Sequence, residues 1–111
     1  MKIDEHKQGA VTIIRPGGAL VGEDAQVFAD RLASSCASAA GRLAIDCGRV
    51  AYVDSVGLES LVDAAEALSV TGHTMRLVTV NETVREAMEI TGVAGRFEFF
   101  ADVNSAIRSY L

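Results

Sequence analysis

The sequence has few of the side chains from which metal, disulfide or redox sites are built. Its two cysteines, Cys36 and Cys47, stand apart without Cys-x-x-Cys spacing. Each falls on an apolar-looking face, so both are predicted to be small core residues, with a disulfide or redox pair as the alternative. His6 and His73 are separated by most of the chain and have no neighbours at ligand spacing. We therefore expect neither a metal site nor a cofactor.

Positive charge and long apolar runs are also scarce. Ten Lys and Arg stand against fifteen Asp and Glu, a formal net charge of −5 with both histidines neutral, and such a surface repels phosphate backbones and anionic lipid. No stretch approaches the roughly 18 consecutive apolar residues of a membrane span, and residues 1–7 contain no apolar signal region. We expect no nucleic-acid partner, no direct membrane insertion and a cytoplasmic location.

The apolar residues that are present suffice for one hydrophobic core. Half of the 111 residues are apolar and 23% are charged, so burial can offset the entropy lost when the chain orders. This length suits one core but not two, and no linker, low-complexity tract or internal repeat interrupts it. We predict a single domain over residues 1–111.

Five short segments have the composition of strands. They are filled by β-branched or apolar residues and are bounded by Gly, Pro or polar residues. An edge strand is predicted around Ile3, and further strands cover residues 10–15, 42–48, 75–80 and 96–100. The 75–80 segment is apolar almost throughout, which is typical of a strand covered on both faces.

Two long helices are predicted from helical spacing of apolar residues. The first opens at Glu23 and Asp24 and ends at Gly41, where glycine provides a left-handed stop. The second runs from Ser55 to near Gly72. Their apolar stripes are Phe28, Leu32, Cys36 and Ala39 in the first, and Leu58, Leu61, Val62, Ala65 and Leu68 in the second.

Two shorter helices follow. Asn81 or Thr83 can cap the third, Thr83 with Glu86 has the spacing of a capping box, and Gly92 ends this helix. Asp102 opens a short C-terminal helix. Strands that alternate with helices after a hairpin-like opening pair predict an α/β fold. We expect a mixed, largely parallel sheet of four or five strands, with helices packed mainly on one face.

The start of the second helix is where a functional site is expected. An apolar stretch with Val50, Tyr52 and Val53 leads into Asp54 and Ser55. In open α/β sheets, functional groups gather where strands end and helices begin, because helix N-termini present unpaired backbone N–H groups there. Taken alone, an Asp-Ser pair at such a position is more simply explained as a helix cap.

Specific residues disfavour three other chemistries. A serine-hydrolase elbow needs glycine two places before the serine, where this chain has Val53. A phosphate-accepting receiver domain needs an acidic pair after its first long strand and a lysine near its last strand, whereas the only lysines are Lys2 and Lys7. No Gly-x4-Gly-Lys loop is present. We expect no enzyme activity, while weak nucleotide or small-ligand binding near the start of the second helix stays open.

One family resemblance covers nearly the whole chain. Directly after an apolar stretch the chain carries the run Asp54-Ser55-Val56-Gly57-Leu58, which resembles the signature of the STAS family of anti-sigma-factor antagonists. Further matches to that family, in the same order, are Gly18-Ala19-Leu20, Val84, Met88, Thr91-Gly92-Val93 and Phe97. We assign Met88 and Thr91-Gly92-Val93 to helix packing and termination.

The resemblance implies a phosphorylation switch at Ser55. It implies that an anti-sigma factor serine kinase phosphorylates this serine and that a separate serine phosphatase removes the phosphate. It also implies that the unmodified form binds the kinase and thereby frees a sigma factor. We expect the protein to be a monomer or weak dimer. The physical expectation agrees, because phosphoserine adds a charge of about −1.5 to −2 where a partner would otherwise meet a neutral hydroxyl.

The partner surface is expected to comprise the loops at residues 18–23, 54–58 and 80–83, which all follow strand ends. The predicted partner-binding residues are Gly18, Leu20, Val21, Glu23, Asp54, Val56, Gly57, Leu58, Asn81 and Thr83. Val21 departs from the family pattern, because many switchable members have an acidic residue at this position. The alternative is therefore a non-switched STAS adaptor subunit of a stress-signalling or lipid-transport ATPase complex.

Overall fold

The computed structural model describes residues 1–38 and 41–111. The strands are β1 (Ile3–Gln8), β2 (Val11–Pro16), β3 (Leu43–Asp46), β4 (Met75–Val78) and β5 (Phe97–Phe100). The helices are α1 (Gly22–Ser38), α2 (Ser55–Val70), α3 (Glu82–Ile90) and α4 (Val103–Arg108), with a 3-10 turn at Ala94–Arg96. The prediction that Ala39 belongs to the first apolar stripe lies outside the described residues.

The strands form one mixed sheet in the order β1-β2-β3-β4-β5. β1 and β2 form an antiparallel hairpin, whose turn contains Gly9 with φ of 63°, a conformation that glycine adopts without steric cost. The pairs β2–β3, β3–β4 and β4–β5 are parallel. The prediction of a largely parallel sheet with an opening hairpin is confirmed, with five strands.

Helices cover the two faces of the sheet unequally. The larger core cluster joins α1, α2 and α3 to one face, through residues such as Phe28, Leu61 and Met88. The smaller cluster packs Ala106 of α4 against Ile13 and neighbouring strand residues on the other face. Three helices on one face and one on the other agree with the predicted arrangement, and the central strand β3 is buried along its whole length.

Several element ends differ from the predicted ones for local reasons of backbone conformation and hydrogen bonding. Arg96 belongs to the 3-10 turn, in which its N–H donates to the carbonyl of Val93 at 3.0 Å, so β5 begins one residue later. β4 ends before Thr79, whose φ of 55° turns the chain out of the sheet. Val53 forms only an isolated parallel bridge with Leu20.

The two cysteines differ in environment, and both are free thiols. Cys47 is buried in the core, where burial and the neighbouring Asp46 charge raise its thiol pKa to about 12. Cys36 is half-buried and packs against the larger core cluster. Within the described ranges there is no helix long and apolar enough to cross a membrane.

Candidate functional site

The first and second predicted loops are joined by main-chain hydrogen bonds. The N–H of Leu20 donates to the carbonyl of Tyr52 at 3.1 Å, and the N–H of Asp54 donates to the carbonyl of Leu20 at 2.9 Å. These bonds flank the bridge between Leu20 and Val53. The loop after β2 is therefore held against the start of α2, although the two segments are more than 30 residues apart in the chain.

Asn81 joins the third loop to the second. Its side-chain Nδ2 donates to the carbonyls of Val50 and Ala51 at 3.2 and 2.9 Å. Its Oδ1 accepts from the N–H of Val84 at 2.8 Å, so Asn81 is the N-cap of α3. The alternative cap at Thr83 is wrong, because Thr83 lies inside the first turn of the helix, where the residue no longer precedes the unpaired amides.

Asp54 connects the N-termini of two helices. Its Oδ1 accepts from the N–H of Gly57 at 2.9 Å, which makes Asp54 the N-cap of α2. Its Oδ2 accepts from the N–H of Gly22, the first residue of α1, at 2.7 Å. The backbone N–H of Gly57 and then that of Gly22 lower the pKa of the Asp54 carboxyl below its ordinary value of 3.8.

Replacing Asp54 with asparagine should make the fold less stable near neutral pH. An amide has one oxygen acceptor where the carboxylate uses two, so one helix start loses its partner. Because the folded-state pKa is lowered, the carboxylate's contribution is present above the unfolded pKa of about 3.8 and is lost as pH falls through the folded pKa. The difference in melting temperature between wild type and Asp54→Asn should therefore shrink below about pH 4.

Thermal melts of both proteins between about pH 2 and pH 7 check this expectation. Asp63→Asn is the matched control, since it removes one negative charge from an exposed position of the same helix. Asp102 also has a lowered carboxyl pKa, chiefly through hydrogen bonds from Ser105, but it is present in every variant and cancels in the difference. A melting difference that is constant across this range would contradict the assigned role of Asp54.

Ser55 is the first residue of α2 and is exposed. A helix N-terminus favours negative charge, because the amides of its first turn point outward and the helix dipole is positive there. Both Asp54 carboxylate oxygens already accept bonds from the backbone. The Ser55 hydroxyl thus lies at the surface, at a place where an added phosphate is electrostatically tolerated by the fold.

The structure separates the other predicted partner-binding residues by exposure. Glu23, Val56 and Thr83 are exposed, while Gly18, Val21 and Leu58 are half-buried. Leu20 and Gly57 are buried, so they hold the two loops together beneath the surface and offer a partner little direct contact. Asn81 is exposed, yet its side chain is occupied by the cap and by the two loop carbonyls.

Two residues that matter at this edge were not among the predicted site residues. Gly22 supplies the N–H that binds Asp54, and its φ of 56° favours glycine. The sequence places Tyr52 in an apolar stretch, but the residue is 53% exposed. A glycine directly before a predicted helix start is a local signal that could identify Gly22. Nothing in the local pattern distinguishes an exposed Tyr52 from a buried one.

The residues at this edge do not suggest metal chemistry. Across residues 1–38 and 41–111, no group of three or more His, Cys, Asp or Glu side chains could hold a metal ion. The side chains that meet here are a carboxylate, a hydroxyl, an amide and a phenol, and the amide is fully used within the fold. The arrangement presents a surface held by main-chain hydrogen bonds, on which Ser55 is exposed at a helix start.

Comparison with known proteins gives one family and several structures. The family model for the STAS domain matches residues 2–106, and no curated protein sequence matches the chain. A putative anti-sigma factor antagonist from Thermotoga maritima is 19% identical with a TM-score of 0.88, covering 96% of this chain and 92% of that one. The anti-sigma factor antagonist SpoIIAA, in its unphosphorylated form, is 16% identical with a TM-score of 0.81, covering 98% and 96%.

A transporter also contains a similar domain. The murine anion transporter Slc26a9 is 18% identical with a TM-score of 0.77, and the match covers 94% of this chain but 18% of the transporter. At these identities each likeness shows a shared fold. The same fold is therefore found both as a whole small antagonist and as one part of a much larger protein.

Proposed function

Because the chain belongs to the STAS domain family, we propose that it is an anti-sigma-factor antagonist that binds an anti-sigma serine kinase in a manner controlled by Ser55. The unmodified form binds the kinase and frees a sigma factor, and phosphorylation of Ser55 abolishes that binding. A serine phosphatase restores the binding form. The protein acts in the cytoplasm by binding and not by catalysis, as a monomer or weak dimer.

The observation that carries this proposal is the exposed Ser55 at the start of a helix whose cap, Asp54, accepts two backbone hydrogen bonds and whose flanking loops are hydrogen-bonded to each other. A phosphate added there meets solvent and the positive end of α2, so the fold need not rearrange. A partner packed on the hydroxyl must instead accommodate a dianion next to Asp54. Repulsion and desolvation then weaken the complex, and each 1.4 kcal/mol lost lowers the affinity about tenfold.

The test begins with the purified protein, ATP and the anti-sigma serine kinases of the same genome. Mass spectrometry should find one phosphate, on Ser55, and none in Ser55→Ala. Ser55→Ala should bind the kinase about as well as wild type, while Ser55→Glu should bind at least about tenfold more weakly. The carboxylate carries less charge than a phosphate, so Ser55→Glu mimics the modified state only in part.

Ser34→Glu is the matched control for added charge. Ser34 is exposed on α1, 12 residues beyond Gly22, and so lies roughly 18 Å along the helix from the edge that holds Ser55. We expect Ser34→Glu to bind the kinase like wild type. Equal kinase binding by Ser55→Glu, Ser55→Ala and Ser34→Glu would contradict the switch.

A second candidate is a non-switched STAS adaptor in a stress-signalling or lipid-transport ATPase complex. Val21 favours it, since this half-buried residue stands where many switchable family members have an acidic residue. The likeness to part of Slc26a9 supports it to the extent that the fold also occurs inside larger assemblies. Stable binding to an ATPase that neither phosphorylates Ser55 nor discriminates Ser55→Glu would favour the adaptor.

A further inference from the structure

Two exposed apolar side chains border Ser55. Tyr52 is 53% exposed and Val56 is 40% exposed, and they stand three residues before Ser55 and one residue after it. The main chain of Tyr52 is held by the bond that its carbonyl accepts from Leu20. The aromatic ring therefore projects from a segment that is ordered before any partner binds, which lowers the entropy lost on association.

Of the other exposed large apolar residues, Met1 lies near the start of α1, where its ammonium is 3.5 Å from Asp24, and the rest lie elsewhere. Val70 ends α2 and Ile90 ends α3, and these helix ends lie at the opposite edge of the sheet because the crossover helices run against the parallel strands. Val27 is on the outer side of α1. Among the exposed large apolar residues of the described ranges, Tyr52 is the one aromatic residue. Tyrosine is enriched among the residues that contribute most to the binding energy of protein interfaces.

Acidic residues surround this apolar pair at the starts of three helices. Glu23 follows Gly22, whose N–H binds Asp54. Glu82 follows Asn81, whose amide binds the carbonyls next to Tyr52 in sequence. Further negative charges are Asp24, Asp54 and Glu59, the last of which is four residues after Ser55 on α2. The positive charges against them are Arg49, Arg85 near the start of α3 and the Met1 ammonium, which is 3.5 Å from Asp24.

We propose that Tyr52, with Val56 beside it, is the anchor that inserts into an apolar recess of the partner kinase, and that this recess has a cationic rim. The proposal rests on the function proposed above and names the chemistry that the kinase must present. An apolar centre with a charged border is the usual anatomy of a specific interface. The acidic helix starts steer a cationic partner toward this edge, while the ring supplies most of the affinity.

The same charges disfavour a second copy of this chain as the occupant. A two-fold dimer through Tyr52 would bring the acidic helix starts of both copies together. With a formal net charge of −5 on each copy, such a contact is opposed by repulsion. A basic partner would instead be attracted by these acidic residues.

Anchoring by Tyr52 also explains why a phosphate on Ser55 would weaken kinase binding strongly. Ser55 lies between Tyr52 and Val56 in the sequence, so insertion of both apolar side chains would exclude water from around its hydroxyl. A phosphate there would have to lose its hydration when the complex forms, and this cost is far larger than that of a hydroxyl. The cationic rim recognises the helix starts around the recess, not the hydroxyl at its centre.

Fluorine NMR can test the anchor directly. The chain has two tyrosines, so incorporation of ring-fluorinated tyrosine gives two resonances, and Tyr110→Phe assigns them. Tyr110 lies at the opposite edge, where its hydroxyl donates to the Leu43 carbonyl at 2.7 Å and accepts from the Leu43 N–H at 3.0 Å. On addition of each purified anti-sigma serine kinase of the same genome, the Tyr52 resonance should shift and broaden, while that of Tyr110 keeps its chemical shift.

Variants provide the second measurement. Tyr52→Ser should weaken kinase binding at least about tenfold, whereas Tyr52→Phe, which keeps the ring, should stay within about threefold of wild type. Ile90→Ser is the matched control, since it removes an exposed apolar side chain from the opposite edge. Circular dichroism melts confirm that each variant is folded, and rising salt should slow association if the rim is cationic.

Four outcomes would overturn part or all of the proposed anchor. A kinase that binds wild type and Tyr52→Ser equally, or that leaves the Tyr52 resonance unchanged, overturns the anchor and leaves the proposed function intact. A Tyr52 resonance that shifts with the protein's own concentration, without kinase, identifies a second copy as the occupant and overturns the assignment to a kinase. Association that is independent of salt overturns the cationic rim. If no kinase binds or phosphorylates wild type, the proposed function and the anchor both fail.

Discussion

Replacing Leu61 with alanine should lower the free energy of unfolding by about 2–5 kcal/mol. Leu61 is 1% exposed and belongs to the large core cluster between the helices and the sheet. Truncation removes apolar contacts and leaves a cavity that the neighbouring strand residues of the close-packed core cannot fill without moving. Leu68, which is 3% exposed on the same helix stripe, should respond in the same way.

Denaturant and thermal unfolding monitored by circular dichroism measure this effect. The matched control is Val70→Ala, because Val70 lies on the same helix but is 86% exposed, so its truncation should change stability by no more than about 0.5 kcal/mol. Unfolding curves for Leu61→Ala and Val70→Ala that coincide would show that the buried face of α2 is misassigned.

Replacing Gly57 with alanine should both destabilise the fold and disrupt the Ser55 edge. A Cβ at this position would lie 2.6 Å from the Leu20 carbonyl oxygen and 2.8 Å from the Leu20 Cβ. Neither atom can move without the Leu20 main chain, which is fixed by hydrogen bonds to Tyr52 and Asp54, so a backbone must move. We expect a loss of about 1–3 kcal/mol, the usual cost of inserting a methyl group into a closely packed site.

Unfolding curves give the stability of Gly57→Ala, and amide hydrogen exchange reports on the edge itself. The N–H groups of Leu20 and Asp54 should lose protection, because the two loops separate. Gly95→Ala is the matched control, since a Cβ there meets no atom within 4 Å. If Gly57→Ala were as stable as wild type and its Leu20 and Asp54 amides stayed protected, the close contact between the loops would be refuted.

Separation of the two loops in Gly57→Ala should also weaken binding of the proposed partner. The loop after β2 and the start of α2 each contribute to the surface around Ser55, and their relative position depends on Gly57 passing close to Leu20. Kinase binding by Gly57→Ala should therefore fall even though Gly57 is buried and offers a partner little direct contact. Residues of this kind are recognised in the sequence as part of a signature, while their role is to position others.

Much of the fold could be predicted because its signals are local. The spacing of Leu61, Ala65 and Leu68 predicts the buried face of α2, and Asp54 and Asp102 are short acceptor side chains directly before helices that they do cap. Each of these patterns extends over a few residues, within the range of one helical turn or one strand pair. The local pattern leaves the choice between Asn81 and Thr83 as the cap open for the same reason, since both residue types fit the local rule.

The sequence by itself determined the order of strands and helices, the buried face of the second helix and the position of Ser55 at a helix start. Only the tertiary structure decided that Asp54 binds Gly22, that Asn81 binds the carbonyls of Val50 and Ala51, and that Tyr52 faces solvent. The physical reason is distance along the chain. These contacts join residues about 30 positions apart, and their geometry exists only once the parallel strands have brought three separate loops to one edge of the sheet.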